Sequence, residues 1–161
     1  MFKIMALFVY SMKQVKKPKY LYHGSSKKLQ GNILIPKKAG GLGKKKDQQI
    51  GIYATDNKTA AIAMGLISGT GGSTLKSHGK KVEGVVYGSL PKSKFFYLCI
   101  LPSNNFTKVD SWQWVSYKSI KPIKVEKLKV KDYAHLVRKA TKEEKEKWEL
   151  YRSKLRMKGE S

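Results

Sequence analysis

The chain has 161 residues, room for one domain and little more, and its 40% hydrophobic share is enough for a core, which excludes a chain disordered by composition. Lys and Arg number 34 against 11 Asp and Glu, a formal net charge of +23. A compact domain so charged repels itself until a polyanion neutralises it, and phosphate backbones do this with release of condensed counterions.

The single cysteine, Cys99, excludes an intrachain disulfide framework and a cysteine-based zinc site, and no apolar run reaches the length of a membrane span. The charge belongs to the body of the chain. Residues 1–110 hold 19 lysines against 4 acidic residues, and residues 111–161 hold 15 basic against 7 acidic. Only Arg138, Arg152 and Arg156 are arginines. Lysine is a point charge suited to phosphate, and scarce arginine argues against base-edge readout. The expected partner is DNA or RNA, bound with weak sequence preference by a cytoplasmic protein that makes no membrane contact.

In chain order, residues 1–18 read as an N-terminal extension or edge strand, 19–140 as a single domain, and 141–161 as a basic C-terminal helix. Tyr20 to His23 is an aromatic-rich strand stopped by Gly24, Ser25 and Ser26. Residues 29–35 are a second extended stretch closed by Pro36. Residues 37–49 form a Gly/Lys-rich loop, too polar to bury and suited to lie along phosphates. Residues 50–54 read as a strand. Asp56 is the expected N-cap of the helix that follows, with Ala60, Ala63, Met64 and Ile67 on its packed face. Gly69 to Ser73 is a mobile loop.

Residues 82–87 and 95–101 read as strands, with Cys99 a core residue on the second. Residues 112–116 form another strand and 120–128 an extended segment. The spacing of Tyr133, Leu136 and Val137 predicts a helix over 130–140. Thr141 and Glu144 have capping-box spacing and open a last helix to about Met157, with Trp148, Leu150, Tyr151 and Leu155 as its anchors. Strands in the middle and helices at the end make an α+β domain.

His23, His78 and His135 have no metal-ligand spacing, so no metal is expected. His78 reads as a solvated loop residue and His135 as a packing or surface residue of a helix. His23 ends a strand just before Gly-Ser, where a side chain can face a cleft while the backbone turns beneath it. Lys16, Lys17, Lys37, Lys38, Lys44, Lys45 and Lys46 are candidate phosphate contacts. Trp112 and Trp114 alternate around Gln113, which puts both on one strand face as candidate platforms for an unpaired base.

Tyr22-His23-Gly24-Ser25, followed by Gly51-Ile52-Tyr53-Ala54-Thr55-Asp56 and an alanine-rich helix, resembles the ADP-ribosyltransferase superfamily of the PARP and diphtheria-toxin kind, over roughly residues 20–128. The resemblance implies a split antiparallel β-sheet core with flanking helices, NAD as cofactor, and a catalytic set of His23, Tyr53 and Gln113. It implies that His23 bonds a ribose hydroxyl, that Tyr53 stacks on the nicotinamide, and that Tyr22, Gly24, Ser25 and Thr55 line the same pocket. Gln113 would orient the ribose or the acceptor. Such sites open an N-glycosidic bond through an oxocarbenium-like state, by positioning and electrostatics. Gln113 stands where the family usually has a carboxylate, and the nearest acid is Asp110.

The expected function is therefore NAD-dependent modification of DNA or RNA. A DNA or RNA N-glycosylase on the same scaffold, holding a flipped nucleoside in the nicotinamide riboside position, is an alternative. So is a basic nucleic-acid-binding module without chemistry.

Overall fold

The computed structural model describes residues 16–38 and 50–159. Residues 1–15 and the greater part of the Gly/Lys-rich loop, with Lys44, Lys45 and Lys46, lie outside the described residues.

The architecture is α+β. A larger sheet contains β1 (Tyr20–Ser25), β2 (Lys37–Lys38), β3 (Ile50–Thr55), β6 (Phe95–Pro102), β7 (Thr107–Lys108), β8 (Gln113–Ser116) and β9 (Lys124–Lys129). Its order is β7-β8-β3-β1-β6-β9, with β2 on β3, and every pair is antiparallel. A smaller sheet has the order β10-β5-β4, from β4 (Ser73–His78), β5 (Lys81–Val86) and β10 (Val137–Lys139). Here β10 joins β5 in parallel, a departure from an all-antiparallel core.

Helix α1 (Lys58–Ile67) lies between the two sheets, against β1, β3 and β6 of one and β4, β5 and β10 of the other. Ala60, Ala61, Ile62, Ala63, Gly65, Leu66 and Ile67 are all buried, so the helix is covered on more than one face. Met64, expected on the packed face, is 39% exposed. The N-cap is Asn57, whose Oδ1 accepts the Ala60 N–H at 3.1 Å. Asp56, the expected cap, is exposed just before it. The Thr55 hydroxyl accepts the Asn57 N–H, which carries the helix start one residue further on.

Two glycine contacts seat α1. A Cβ on Gly24 would fall 2.0 Å from the Ala61 carbonyl oxygen and 2.6 Å from the Gly65 nitrogen. Gly65 in turn packs on the Cα of Gly24 and the nitrogen of Ser25. On the other side, a Cβ on Gly84 of β5 would fall 2.6 Å from an Ile67 methyl. Around these contacts Ala61, Ile62, Leu66, Phe96 and Leu98 form one core cluster, with Tyr22, Tyr133, Leu136 and Val137 packed on it. The opposite face of the large sheet carries a second cluster, including Leu21, Ile52, Cys99, Leu101, Phe106 and Trp114.

The expected helix over 130–140 is two 3-10 turns, Val130–Asp132 and Ala134–Leu136, followed by β10. Spacing of three and four residues brings Tyr133, Leu136 and Val137 onto the α1 cluster, but β-branched Val137 pairs with Gly84 as a strand. His135 therefore sits exposed on a 3-10 turn, and His78 ends β4 in place of the expected loop. The stretch 29–35 contributes only a bridge between Leu34 and Ile120, after a turn with positive φ at Gly31 and Asn32.

Helix α2 (Lys142–Gly159) begins with the expected capping box. The Thr141 hydroxyl accepts the Glu144 N–H at 3.2 Å, and the Glu144 carboxylate accepts the Thr141 N–H at 3.0 Å. No α2 residue is buried, and Leu150 and Tyr151 are half or more exposed. Trp148 is the anchor: it stacks on Tyr87 with centroids 4.6 Å apart, lies against Gly72, and carries the Arg152 guanidinium 4.5 Å above it. Glu144 completes the docking, with hydrogen bonds from Arg138 Nη1 at 2.6 Å and from Lys76, while Arg138 Nε donates to Glu83 at 2.8 Å. Arg138 and Lys76 hold the Glu144 carboxyl well below the usual carboxylate range. Among the described residues no helix is long and apolar enough to cross a membrane.

Replacing Gly24 by Ala pushes a methyl into the α1 backbone and should destabilise the domain by about 3 kcal/mol, the upper end for an overpacked site, read as a lower urea midpoint. An unchanged midpoint would remove the close approach of α1 from the account. Because the Glu144 pKa is lowered in the folded state, its stabilisation is complete above the ordinary carboxylate range and is lost as pH falls below it. Acid titration followed by tryptophan fluorescence should show the α2 docking loosen in that window, and Glu144→Gln should loosen it at neutral pH. The exposed network makes both effects salt-sensitive.

Candidate functional site

The large sheet opens between β1 and β3. β1 keeps full register with β6, from Tyr20 opposite Pro102 to Ser25 opposite Tyr97. Against β3 it has one registered pair, Tyr22 opposite Thr55. β3 itself pairs with β8 over four residues, from Ile52 opposite Ser116 to Thr55 opposite Gln113. Beyond Tyr22, therefore, the two strands part, and the sheet divides into a β7-β8-β3 half and a β1-β6-β9 half.

His23 is the first β1 residue past that junction. Its partly buried ring crosses the opening, with Nδ1 2.7 Å from the Tyr53 carbonyl oxygen. Burial lowers the His23 pKa, the bond to Tyr53 opposes this, and the charge of Lys37 adds to the lowering. The net direction favours neutral imidazole. A carbonyl can only accept, so Nδ1 carries the proton and Nε2 is left as an acceptor. A group that donates a hydrogen bond, such as a ribose hydroxyl, matches that acceptor.

Gln113, Thr55 and Tyr22 lie in one row across β8, β3 and β1, spanning ~10 Å at the usual strand spacing. Alternation along β1 puts His23 on the other face, with Leu21 and Cys99, away from α1. The structure thus brings His23 to the main chain of Tyr53 and places Gln113 two strands away. Tyr53 is partly buried on β3. The Asp110 Oδ1 accepts the N–H groups of Trp112 and Gln113 at 3.0 and 2.8 Å and fixes the turn into β8.

Several expected pocket residues have packing duties. Tyr22 packs on the α1 cluster, and Gly24 is covered by α1. The Ser25 hydroxyl closes a local turn on Lys27. Thr55 is 4% exposed and its hydroxyl is taken by Asn57.

Trp114 corrects the expectation of a paired stacking face. It is 5% exposed within the core cluster of Leu21, Ile52 and Leu101, its Nε1 has no partner among the described residues, and it offers no open ring to a base. Trp112 lies in the turn before β8, half-buried, because the strand begins only at Gln113. Lys16, Lys17, Lys37 and Lys38 are exposed, and Lys17 also donates to the Asn104 carbonyl.

Two cavities of about 470 and 300 Å³ lie elsewhere, and neither is lined by His23, Tyr53 or Gln113. The larger abuts Ser26 and Lys27, just after β1, and had no motif to announce it. A signal was present in Gly65: a glycine inside a helix costs about 1 kcal/mol relative to alanine, so it marks a close approach. Among the described residues no group of His, Cys, Asp and Glu is placed to hold a metal ion. Cys99 is buried, and burial pushes its thiol up to about 11.

Comparison with protein-family models, with curated protein sequences and with solved structures found no match.

The His23 ring should remain neutral, in the Nδ1–H tautomer, at pH 6.5, as read by nitrogen-correlated NMR of the imidazole. A charged ring at that pH would contradict the desolvated geometry.

Proposed function

We propose that the chain is a nucleic-acid-binding enzyme of ADP-ribosyltransferase type that acts on an N-glycosidic bond, with NAD as the donor. The observation that carries this reading is the opening between β1 and β3, bridged by the neutral His23 ring on the Tyr53 carbonyl. An acceptor nitrogen fixed at such an opening suits a sugar hydroxyl. NAD would supply the activated glycosidic bond. His23 would hold the ribose through Nε2, and the Tyr53 ring, on the Thr55 face of β3, would have to meet the nicotinamide across the opening. Gln113, Thr55 and Tyr22 form a row on the opposite sheet face from His23, and Gln113 would have to reach the ribose or the acceptor across the opening. The charge of +23 supports a nucleic acid as the acceptor.

Gln113 has a chemical consequence. A neutral amide can orient a group but cannot take a proton or offset a developing positive charge. The acceptor in this reading is therefore one that needs no base. The same residue favours the second reading, a basic binding module without chemistry, and an N-glycosylase would share the cleft without NAD.

The test mixes full-length protein with single- and double-stranded DNA and RNA, with and without NAD, and follows products by mass spectrometry. The expected result is an NAD-dependent mass gain on nucleic acid, lost at least 100-fold in His23→Ala, a loss within the range for a positioning or electrostatic group, while nucleic-acid affinity changes less than threefold. Release of a free base without NAD would assign the glycosylase reading. Binding without either product would assign the module.

A further inference from the structure

The large sheet ends in β7 and β9, and the small sheet in β10 and β4. An edge strand offers unpaired N–H and C=O groups to any extended chain, and proteins blunt such an edge by keeping it short or lining it with charge. β7 and β10 are two and three residues long. β9 has six residues, and Lys124, Glu126, Lys127 and Lys129 guard it. β4, Ser73–His78, also has six, and neither device protects it. Its one lysine, Lys76, is bound to Glu144 of α2. The side chains that dock α2, Lys76, Glu83 and Arg138, share one face of the small sheet, so α2 meets that face and not the edge.

The Tyr87 N–H donates to the Gly72 carbonyl at 3.0 Å, so these residues form a hydrogen-bonded pair just beyond the strands. Antiparallel pairs alternate, which makes Thr74–Val85, Lys76–Glu83 and His78–Lys81 the next hydrogen-bonded pairs. Ser73, Leu75 and Ser77 therefore turn their N–H and C=O groups away from β5. Among the described residues no main chain pairs with that side of β4. Side chains alternate as well. Thr74, Lys76 and His78 share the face that α2 meets. Ser73, Leu75 and Ser77 share the α1 face, where Leu75 stands opposite Gly84.

We propose that the open edge of β4 takes an extended segment of a partner protein as a fourth strand, one that alternates acidic and apolar residues. The main-chain groups of Ser73, Leu75 and Ser77 supply the pairing. Acidic side chains of the added strand fall beside Lys76 and His78, close to the exposed Lys80 and Lys81 of the β4–β5 turn, and apolar ones fall beside Leu75. The net charge of +23 opposes a second copy of this chain at the same edge and favours an acidic partner. A nucleic acid lacks the alternating main-chain donors and acceptors that the edge matches. The edge shares no residue with the His23 opening and stands whether or not that opening performs glycosyl chemistry.

Amide hydrogen exchange of the full-length protein, read by nitrogen-correlated NMR, tests this. In the free protein the amides of Ser73, Leu75 and Ser77 should exchange about tenfold or more faster than those of Thr74, Lys76 and His78, as open groups do beside paired ones. An eight-residue peptide alternating valine and glutamate should protect the three open amides. The same peptide methylated on its valine nitrogens, which face β4 when valine stands opposite Leu75, should not protect them. A valine–lysine peptide should bind about tenfold more weakly, as like charges then meet. Ser77→Pro removes an N–H that the β4–β5 ladder does not use. It should weaken the valine–glutamate peptide about tenfold, the scale of one main-chain hydrogen bond whose acceptor is left unpaired. Ser77→Thr keeps that N–H and should bind as the unsubstituted chain does. Slow exchange of all six amides without peptide overturns the proposal, and a dependence of that protection on protein concentration would give the edge to a second copy. Equal binding of the methylated or the lysine peptide, or protection of the open amides by DNA in place of peptide, overturns it as well.

Discussion

The fold depends on how closely α1 approaches both sheets. Gly24 and Gly65 meet backbone to backbone on one side, and Gly84 makes room for Ile67 on the other. With side chains at these positions the helix would stand off, and Phe96, Leu98 and Leu66 would lose the packing that buries them. Each such side chain contributes about 1.5–3 kcal/mol when fully buried. The same contact fixes the line of β1 just beyond His23, so the helix seat and the sheet opening share one strand segment.

Charge is divided unevenly between structure and surface. Glu83 and Glu144 are committed to Arg138 and Lys76, and Asp110 to the turn into β8. These acids hold local structure together and cannot also neutralise lysines elsewhere. The exposed lysines just before β1, those of β2 and Lys27 at the cavity edge face solvent.

The elements that sequence announced well are those with local signals. The strands around His23, Tyr53 and Cys99 carry β-branched and aromatic residues between glycines, and the Thr141–Glu144 box forms as its spacing requires. Less legible was anything set by tertiary packing. Residues 130–140 have helical spacing, yet Val137 is drawn into a parallel pair with β5. Trp114 alternates as a surface residue would, but its face is the core side of the sheet. Strand β4, polar and only partly buried, gave no hydrophobic pattern to read. Of the candidate site, the grouping of His23 with Tyr53 came from the motif resemblance, and the structure joins them only through the Tyr53 main-chain carbonyl. The cavity after α1 was not, because its lining comes from segments brought together only by the seating of that helix.

Cys99 lies at the centre of the core, opposite His23 on β6, and is the chain's single thiol. Burial keeps it protonated at neutral pH and out of reach of reagents. Its chemistry is thereby coupled to the integrity of the whole domain. Partial fraying of α2 leaves it silent, whereas opening of the large sheet exposes it. The chain carries, without any added label, a chemical clock for global unfolding.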